Sequence, residues 1–361
     1  MNRYIAISAI TIFCLLAIGI GVAWAPIFPL AKQLTGAPLT ALPPKSDSLP
    51  AEPKQATATL IFGGDVMLSR NVGQKMAKYQ DWSWPFANIA GLLADADLTV
   101  INLESPFTIG GSHLVKTGSF SFNADPQALA GLAQAGIDVV ALANNHILNQ
   151  GKKGVIDTQK LLTANGIAFA GAGLNESEAG RPAIKEINGI KFGFLSYAYP
   201  NDYSVAGAST PGLAGMDISK MTTAVANLKT EADLVAVLMH AGIEYVNTPN
   251  KQQVAFAHAA IDAGADLVIG HHPHWAQTVE IYNGKPIVYS LGNLIFDQMW
   301  SLETQQGALA EIKVADKQIS SIKIIPIKII DYGQAILATG TDKELTLKRM
   351  GLNNEVININ N

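Results

Sequence analysis

The stretch 269–275, Ile-Gly-His-His-Pro-His-Trp, holds three of the chain's seven histidines. Its histidines come directly after the apolar run Ala-Asp-Leu-Val-Ile and a glycine, a pattern that predicts a buried strand that meets a turn. His272 and His274 alternate across a proline, and proline restricts both its own φ and the residue before it. Both imidazoles can therefore face one point, as ligands of a borderline divalent metal do. A surface histidine-rich turn without a ligand is the alternative, and ligand-type residues at other strand ends decide between the two.

The composition is that of a globular protein with a large core. The chain has 361 residues, of which 48% are hydrophobic and 15% charged, enough for one large or two modest domains. A net charge of −4 and a pI near 6.0 leave no basic footprint, so we expect no nucleic-acid partner. Cys14 is the one cysteine, which excludes an intramolecular disulfide framework and a thiolate zinc site.

The amino-terminal residues predict a membrane anchor. Residues 4–31 contain no charged side chain, and the run exceeds the roughly 20 residues that cross a bilayer core. We interpret it as an uncleaved transmembrane signal-anchor that follows a short cytoplasmic end, residues 1–3, and that places the rest of the chain outside the cytoplasm. A cleaved signal peptide is the alternative, because Ala23-Trp24-Ala25 has the small-x-small form, although Pro26 should hinder cleavage.

The rest of the chain divides into three predicted parts. Residues 32–56 are rich in proline and predict an extended linker. A folded α/β domain is expected over residues 57–338, and residues 339–361 are expected to form a polar, peripheral tail. Within the domain, Phe120-Ser121-Phe122 alternates and predicts a short strand, and Asn283-Gly284 predicts a tight β-hairpin turn.

Ligand-type side chains recur where the predicted strands end. Five apolar segments deliver, in order, Asp65, Glu104, Asn145 with His146, His240, and His272 with His274. In folds of sheets and helices, the carboxyl edge of a sheet is where binding sites are built. A single such residue could be a helix cap, as Asp65 alone could be. Five in succession predict a metal site.

Six motifs make the prediction more specific. They are Gly-Asp-Val-Met-Leu (64–68), Asn-Leu-Glu (102–104), Asn-Asn-His (144–146), His-Ala-Gly-Ile-Glu-Tyr (240–245), Gly-His-His-Pro-His (270–274) and Tyr-Ser-Leu-Gly-Asn-Leu-Ile-Phe-Asp (289–297). In this order, over about residues 58–300, the chain resembles the bacterial capsule-synthesis CapA family, also called the poly-γ-glutamate synthesis PgsA/CapA proteins. That family is similar to calcineurin-like metallophosphoesterases. The resemblance implies a four-layer αββα fold, in which two packed β-sheets are flanked by helices, with a two-metal centre.

The resemblance also implies a role for each of these side chains. Asp65 would bind one metal and Glu104 would bridge two. The second metal would be completed by Asn145, His240 and His272, and His274 would return to the first. His146 would be the catalytic general acid, or the group that orients a scissile phosphate. One or two divalent ions (Mn, Zn, Fe or Mg) are the expected cofactors.

Four positions depart from these patterns. Met67 stands where the phosphoesterase pattern has a histidine, so one metal would lose an imidazole. Glu104 replaces the shorter Asp of that pattern. Asn149 and Ala241 stand where the CapA pattern commonly has Asp and Trp.

Four further residues are candidates for supporting the ligands. His271 is expected to contact the backbone or a carboxylate rather than a metal. Glu244 could orient His240 or be an exposed loop acid. Asn293 and Asp297 could shape the site from behind the ligands, or could serve as turn and cap residues.

Two hypotheses from different classes follow. The first is a membrane-anchored, extracytoplasmic, metal-dependent protein of capsule or poly-γ-glutamate biosynthesis and export, with phosphoesterase-type hydrolytic chemistry. Its partners would be an anionic surface polymer or a phosphorylated precursor, membrane-embedded capsule synthesis proteins, and the lipid bilayer. The second is a non-catalytic factor that uses a residual metal site to hold an anionic polymer or to assist assembly. A general periplasmic phosphodiesterase unrelated to capsule is a third, less favoured reading.

Overall fold

The computed structural model describes residues 56–113, 115–199 and 204–359, all of which belong to the compact unit Pro53–Asn361. The predicted cytoplasmic end, signal-anchor and linker up to residue 55 lie outside these ranges. Within them, no helix has the length and apolar character needed to cross a membrane.

The described residues form strands and helices in alternation. The strands are β1 (Thr57–Val66), β2 (Leu98–Leu103), β3 (Val139–Ala141), β4 (Ala168–Ala170), β5 (Ala172–Gly173), β6 (Ala183–Ile187), β7 (Ile190–Ala198), β8 (Gly212–Leu213), β9 (Leu234–His240), β10 (Leu267–His271), β11 (Val279–Tyr282), β12 (Lys285–Val288), β13 (Asn293–Ile295), β14 (Gln306–Ala315), β15 (Gln318–Ile330), β16 (Gln334–Leu337) and β17 (Val356–Asn358). The α-helices are α1 (Arg70–Tyr79), α2 (Ala90–Ala94), α3 (Leu129–Gln134), α4 (Gly151–Ala164), α5 (Glu176–Ala179), α6 (Ile218–Leu228), α7 (Lys251–Asp262), α8 (Leu302–Gln305) and α9 (Gly340–Arg349).

The first sheet has the strand order β16-β15-β14-β1-β2-β3-β4, with β13 paired to β1 and β17 to β15. Strands β1 to β4 run parallel, so their carboxyl ends share one edge. β2 is buried at every position, as its continuous apolar run predicts for a strand covered on both faces. β14 runs antiparallel to β1 and leads to the long β15 hairpin.

The second sheet has the order β11-β12-β10-β9-β7-β6. Its central strands β7, β9, β10 and β12 are parallel, and they also collect their carboxyl ends at one edge. The predicted hairpin joins β11 to β12, and both turn residues, Asn283 (φ 49°) and Gly284 (φ 73°), adopt the positive φ that a type I′ turn requires.

The core has three layers of buried side chains. One lies between the two sheets, and one lies between each sheet and the helices on its outer face, so the order of the layers is helix, sheet, sheet, helix. Along β1, Leu60 and Phe62 point between the sheets, where they join residues such as Leu238 and Ile269 of the second sheet. Ile61 points the other way, into the cluster formed with α1 to α4. A third cluster packs α6 and α7 on the outer face of the second sheet. The prediction of an α/β fold of packed sheets and helices is confirmed, while its transmembrane part falls outside the described residues.

The domain extends beyond the boundary predicted at residue 338. The sequence predicts a polar, peripheral tail over residues 339–361, but α9 packs on the domain and β17 pairs with β15. Leu347, Met350 and Ile359 are buried in the layer between the two sheets. The segment is polar on average because its few apolar side chains are spaced along a helix and a short edge strand, each with one exposed face.

The predicted strand at Phe120-Ser121-Phe122 is wrong. This segment is irregular, with Phe122 buried (2% exposed) and Phe120 exposed (79%). Alternation of two phenylalanines predicts which face each occupies, but a strand also needs a neighbouring backbone to pair with.

Candidate metal centre

The carboxyl ends of the parallel strands of both sheets deliver the predicted site residues to one place. Asp65 and Glu104 come from β1 and the end of β2, whereas His240 comes from the last position of β9. Among the described residues, ligand atoms of Asp65, Glu104 and His240 all lie within 4.8 Å of one another. Three predicted metal ligands, separated by up to 175 positions in the chain (240 − 65), therefore meet.

Two backbone features permit this approach. A Cβ on Gly64 would lie 2.0 Å from the carbonyl oxygen of Gly292, so only glycine lets β1 pass this turn before Asp65. His272 and His274 adopt φ values of 96° and 57°, in the left-handed region that costs energy for a residue with a side chain. Such strain is concentrated at functional sites, and here it lies on both sides of Pro273.

The Asp65 carboxylate is fully buried and lies at the centre of the cluster. Its Oδ1 accepts a hydrogen bond from Asn102 Nδ2 at 2.7 Å, and its Oδ2 accepts one from the His272 backbone N–H at 3.2 Å. Burial alone would raise the pKa of Asp65, but hydrogen bonding to His274 and the nearby imidazoles lower it overall. Asp65 is therefore ionised and can ligate a cation.

Glu104 faces Asp65 and is also buried, with 1% of its surface exposed. Burial, followed by the charge of Asp65, raises its pKa well above the usual value. Its Oε2 has no hydrogen-bond partner among the described residues. Two buried carboxylates that face each other repel, and a divalent cation bound between them attracts both. A free carboxylate oxygen beside a second carboxylate is therefore an arrangement that such a cation stabilises.

His240 is bonded on both sides by asparagines. Asn102 Nδ2 lies 3.1 Å from its Nδ1, and Asn145 Oδ1 lies 3.0 Å from its Nε2. Because Asn102 donates to Nδ1, the proton of His240 is on Nε2, which donates to Asn145. His240 Nε2 and Asn145 Oδ1 therefore face each other across a hydrogen bond, and a metal bound by both would take the place of the Nε2 proton. Burial, then the charge of His272, lowers the pKa of His240 well below its usual value, so the ring is neutral.

The histidines of the 269–275 stretch divide between support and ligation. His271 Nε2 donates to the carbonyl oxygen of Gly63, which ties the second sheet to β1 as the backbone contact predicted for it. His272 lies with its ring 4.7 Å from that of His240, and its buried Nδ1 lacks a partner within the described ranges. Burial, then the charge of His274, lowers the pKa of His272 to about 4. A neutral imidazole with an unused lone pair is the form that binds a metal.

His274 is oriented by Asn293, a residue for which the sequence left open a supporting role or a turn or cap role. Asn293 Nδ2 donates to Gln298 and to the carbonyl oxygen of Thr304, which leaves its Oδ1 as the acceptor for His274 Nδ1 at 2.9 Å. His274 Nδ1 also lies 3.4 Å from Asp65 Oδ2. The ring is thus fixed against the central carboxylate, which is the support that a metal-binding histidine needs.

His146, the predicted catalytic residue, stands at the edge of the cluster. Asn149 Oδ1 accepts from the Phe122 backbone N–H at 2.7 Å and also contacts His146 Nδ1 at 3.0 Å. His146 therefore carries its proton on Nδ1, and its Nε2 faces Glu104 Oε2 at 3.9 Å. The Phe122 ring stacks on the imidazole at 4.0 Å. Burial lowers the pKa of His146 to about 4, despite the hydrogen bond to Asn149.

Three other residues named by the sequence lie apart from the ligands. The side chain of Met67 is buried, and its sulfur accepts a hydrogen bond from the Ser69 N–H at 3.1 Å. Glu244 is exposed, and the two nitrogens of His240 have asparagine partners, so Glu244 does not orient that ring. Asp297 forms a buried ion pair with Arg70 instead of contacting a ligand.

Sequence reasoning missed two residues of this site. Asn102 contacts Asp65, Glu104 and His240 through one amide nitrogen, at 2.7, 3.3 and 3.1 Å. Its place two residues before Glu104, at the end of a strand, was the available signal. The guanidinium of Arg70 lies 5.0 Å from the Phe122 ring and 5.5 Å from the Phe296 ring. Nothing in the sequence around Arg70 indicated these contacts.

The donor set fits a divalent metal. Two carboxylates, an amide oxygen and several neutral imidazoles converge, and three buried atoms near the centre, Glu104 Oε2, His271 Nδ1 and His272 Nδ1, lack partners among the described residues. Oxygen and imidazole nitrogen together suit Mn, Fe and Zn better than Ca, which takes oxygen ligands only.

Comparison with known proteins identifies the family of the chain. Residues 59–298 match the family described as "Bacterial capsule synthesis protein PGA_cap". The capsule biosynthesis protein CapA of Bacillus anthracis is 30% identical over 83% of this chain and 74% of that protein. The PGA biosynthesis protein CapA of Bacillus subtilis is 29% identical over 80% of this chain and 76% of its own length. A probable polyglutamine synthesis accessory protein of Mycobacterium tuberculosis is 29% identical, over 75% of this chain and 84% of that protein.

Two solved structures are similar over most of the described fold. A hypothetical protein from Thermus thermophilus aligns with 75% of this chain and all of its own, with 16% identity and a TM-score of 0.49. A putative 5′-nucleotidase from Staphylococcus aureus aligns with 82% of this chain and 58% of its own, with 10% identity and a TM-score of 0.45. The family match spans 240 of the 361 residues (59 to 298) and contains every predicted metal ligand. The chain belongs to the bacterial capsule synthesis protein family PGA_cap.

Proposed function

We propose that the chain is a metal-dependent accessory protein of capsule or poly-γ-glutamate biosynthesis that hydrolyses a phosphoester. We further propose that residues 4–31 hold it in the cell membrane with the folded domain outside the cytoplasm, in contact with membrane-embedded synthesis proteins. Membership of the PGA_cap family and the names of its CapA relatives support the biosynthetic role.

One observation carries the proposal of metal-dependent chemistry. Asp65, Glu104 and His240 present ligand atoms within 4.8 Å of one another, and the buried Glu104 Oε2 has no partner within the described part of the chain. These residues would hold the metal, with Asn145, His272 and His274 as further ligands. The chemistry that a bound divalent ion supplies is polarisation of a phosphoryl oxygen and a lowered pKa for a water molecule.

The chain's own residues prepare the substrate side of the site. Asn149 holds the proton of His146 on Nδ1, so Nε2 presents a lone pair next to Glu104. With a pKa of about 4, His146 is neutral near pH 7 and can accept a hydrogen bond or a proton at Nε2. An anionic phosphate bound beside it would favour the charged ring, which could then protonate a leaving oxygen. Phe122, stacked on the ring, excludes water from one side.

Metal content tests the proposal directly. The purified full-length chain, loaded with Mn²⁺ or Zn²⁺ and dialysed, would be compared with Asp65→Ala and His272→Ala by elemental analysis. His258→Ala is the matched control, because His258 lies on α7, pairs with Glu280 of β11 and is not a predicted ligand. We expect bound metal in the wild type and the control, a large loss in both site variants, and hydrolysis of bis(p-nitrophenyl) phosphate that His146→Gln abolishes. No bound metal in the replete wild type would refute the proposal.

A second function is favoured by Met67. The position that carries an imidazole in phosphoesterases is here a buried thioether turned into the local backbone. A half-site with one metal could hold an anionic polymer or assist assembly without catalysis. One ion per chain, lost with His272→Ala but kept in Asp65→Ala, together with no phosphodiesterase activity, would favour this alternative.

A further inference from the structure

A groove lined with aromatic side chains lies beside the candidate metal centre. Its volume is about 450 Å³, and its described walls include Phe120, Tyr245, Trp300 and Tyr332 together with Asn71 and Gln298. We call these six residues the aromatic groove. It also reaches Arg70 and Asp297, the buried ion pair behind the centre.

Ring contacts connect the aromatic groove to the predicted metal ligands. Trp300 packs edge-on against Tyr245 with centroids 4.7 Å apart, and Tyr245 stacks on His274 at 5.9 Å. On the other side, the Arg70 guanidinium lies over Phe122, whose ring stacks on His146. The wall of the groove is therefore in direct contact with His274 through Tyr245, and is connected to His146 through Arg70 and Phe122.

The aromatic rings of the groove are exposed to an unusual degree. Phe120 is 79% exposed, Trp300 60% and Tyr332 47%. Exposed aromatic side chains grouped around one concavity mark a binding surface. Tyr245 is held in place, because its hydroxyl accepts a hydrogen bond from Gln298 at 3.2 Å and its backbone has φ 63°. Part of the surface is thus preformed.

The charges of the groove are balanced, which restricts what it can bind. Arg70 is paired with Asp297, and Lys75, which lies 5.8 Å from the Tyr332 ring, is paired with Asp331 at 2.6 Å. A polyglutamate chain carries one carboxylate per residue and needs cations that are free to pair with it. The described wall of the groove offers none. Its remaining polar groups are amides and hydroxyls, such as Asn71, Thr117 and Gln298.

We propose that the aromatic groove binds the saccharide portion of the substrate. The C–H face of a pyranose ring packs on the electron-rich face of an aromatic ring, and sugar hydroxyls match neutral amide and hydroxyl groups. The proposal rests on the proposed function in one respect, since the sugar in the groove would present its phosphoester linkage to the metal centre. The substrate class is accordingly a sugar phosphoester, and the glutamate polymer is not the ligand of this groove.

Binding of uncharged oligosaccharides to the purified full-length chain tests the proposal. The probes are maltotetraose and tetraacetylchitotetraose, with a short oligo-γ-glutamate as the anionic probe, and the measurement is calorimetric titration supported by saturation-transfer NMR. Trp300→Ala and Phe120→Ala remove exposed rings without opening the core. Tyr79→Ala, an exposed aromatic outside the groove (44% exposed), is the matched control.

We expect at least one tetrasaccharide to bind, with saturation transfer to its ring protons. Affinity should fall by about tenfold in Trp300→Ala and in Phe120→Ala, the upper range for one aromatic contact, and should not change in Tyr79→Ala. The proposal is overturned if neither tetrasaccharide binds, if the two groove variants bind as the wild type does, or if oligo-γ-glutamate binds and loses affinity in Trp300→Ala.

The same experiment separates this proposal from the proposed function. Asp65→Ala should lose metal but keep saccharide binding, because Asp65 does not line the groove. Saccharide binding by a wild-type chain that takes up no metal would support the groove while refuting the metal-dependent function. Metal binding without saccharide binding would overturn the groove alone.

Discussion

Asn102 donates its side-chain N–H to Asp65 Oδ1 at 2.7 Å, and the two residues are cross-strand neighbours on β2 and β1. The same amide nitrogen lies 3.1 Å from His240 Nδ1, at the end of the second sheet. One asparagine thereby links ligands from both sheets. It acts as the support that fixes their orientation before a metal arrives.

Replacing this support should weaken metal binding without unfolding the domain. In Asn102→Ala, Asp65 and His240 lose the shared partner that aligns them, and we expect metal affinity to fall by about 10- to 100-fold. Competition with a fluorescent chelator measures the change. Asn353→Ala, at an exposed asparagine, is the control and should bind metal as the wild type does. Equal affinities in all three proteins would contradict the role assigned to Asn102.

Glu104 should make the metal-free protein sensitive to pH. Because burial and Asp65 raise its pKa in the folded state, the fold binds a proton there more tightly than the unfolded chain, whose pKa is near 4.5. Stability of the metal-free chain should therefore fall as the pH rises above 4.5 and up to the folded pKa. Glu104→Gln removes this dependence and should raise the metal-free melting temperature at pH 8 by about 2–4 °C.

The control for this prediction is the metal-loaded protein. Metal should raise the melting temperature of the wild type and have little effect on Glu104→Gln, because the variant lacks the charge that the ion stabilises. A Glu104→Gln variant that melts below the wild type in the absence of metal would mean that the carboxylate is not a source of repulsion.

Asn149→Asp should move the pH at which His146 gains a proton. An aspartate can keep the acceptor for the Phe122 N–H while placing a negative charge against His146 Nδ1, which should raise the imidazole pKa from about 4 by about 1–3 units. The pH profile of phosphodiester hydrolysis should shift upward by the same amount, and NMR titration of His146 checks the pKa independently. Asn149→Ala removes the hydrogen bond without adding charge and should show no upward shift.

Removing one partner of the buried ion pair between Arg70 and Asp297 should destabilise the fold more than removing both. Both side chains are at most 8% exposed, and Arg70 lies against Phe122 and Phe296. Asp297→Asn leaves the guanidinium without its counter-charge and should cost about 3–5 kcal/mol of unfolding free energy. The double variant Arg70→Met/Asp297→Asn should recover most of that loss. Urea denaturation of the wild type and the two variants measures the losses, and a double variant that is no more stable than Asp297→Asn would contradict the pairing.

The carboxyl-terminal segment should contribute to the stability of the whole domain. Met350 is fully buried between the sheets, so Met350→Ala should cost about 2–5 kcal/mol. Leu345→Ala, on the exposed face of α9 just before Met350 (40% exposed), should change stability by less than about 0.5 kcal/mol. Thermal and urea denaturation measure both losses. Equally small losses in the two variants would mean that the segment is a peripheral tail, as the sequence predicts.

The residues that sequence reasoning found share a local signal. Asp65, Glu104, His240 and His272 each stand at or just after the end of an apolar run, and such runs are buried parallel strands whose carboxyl ends meet. The hairpin at Asn283-Gly284 was found because its turn residues must take positive φ. In these cases the physical cause lies within a few neighbouring residues, so the chain can be interpreted one segment at a time.

The residues that it missed depend on contacts between distant segments. Arg70 and Asp297 are 227 positions apart, and Asn102 and His240 are 138 apart. The false strand at residues 120–122 and the segment from 339 onward belong here too, since pairing depends on which backbone lies alongside. Average polarity does not indicate whether a short helix and edge strand will cover a core.

The amino-acid sequence by itself determined the buried strands that end at the ligand-type side chains and the hairpin at Asn283-Gly284, because periodicity and turn chemistry act over short distances. Its ordered motifs also carried the family resemblance. Tertiary structure alone decided which atoms meet: the shared amide of Asn102, the tautomer that Asn149 imposes on His146, and the charge-balanced aromatic groove beside His274. The reason is that hydrogen-bond and ligand geometry is set within tenths of an ångström by strand register and the stacking of two sheets. Those are properties of the whole packed core rather than of any one segment.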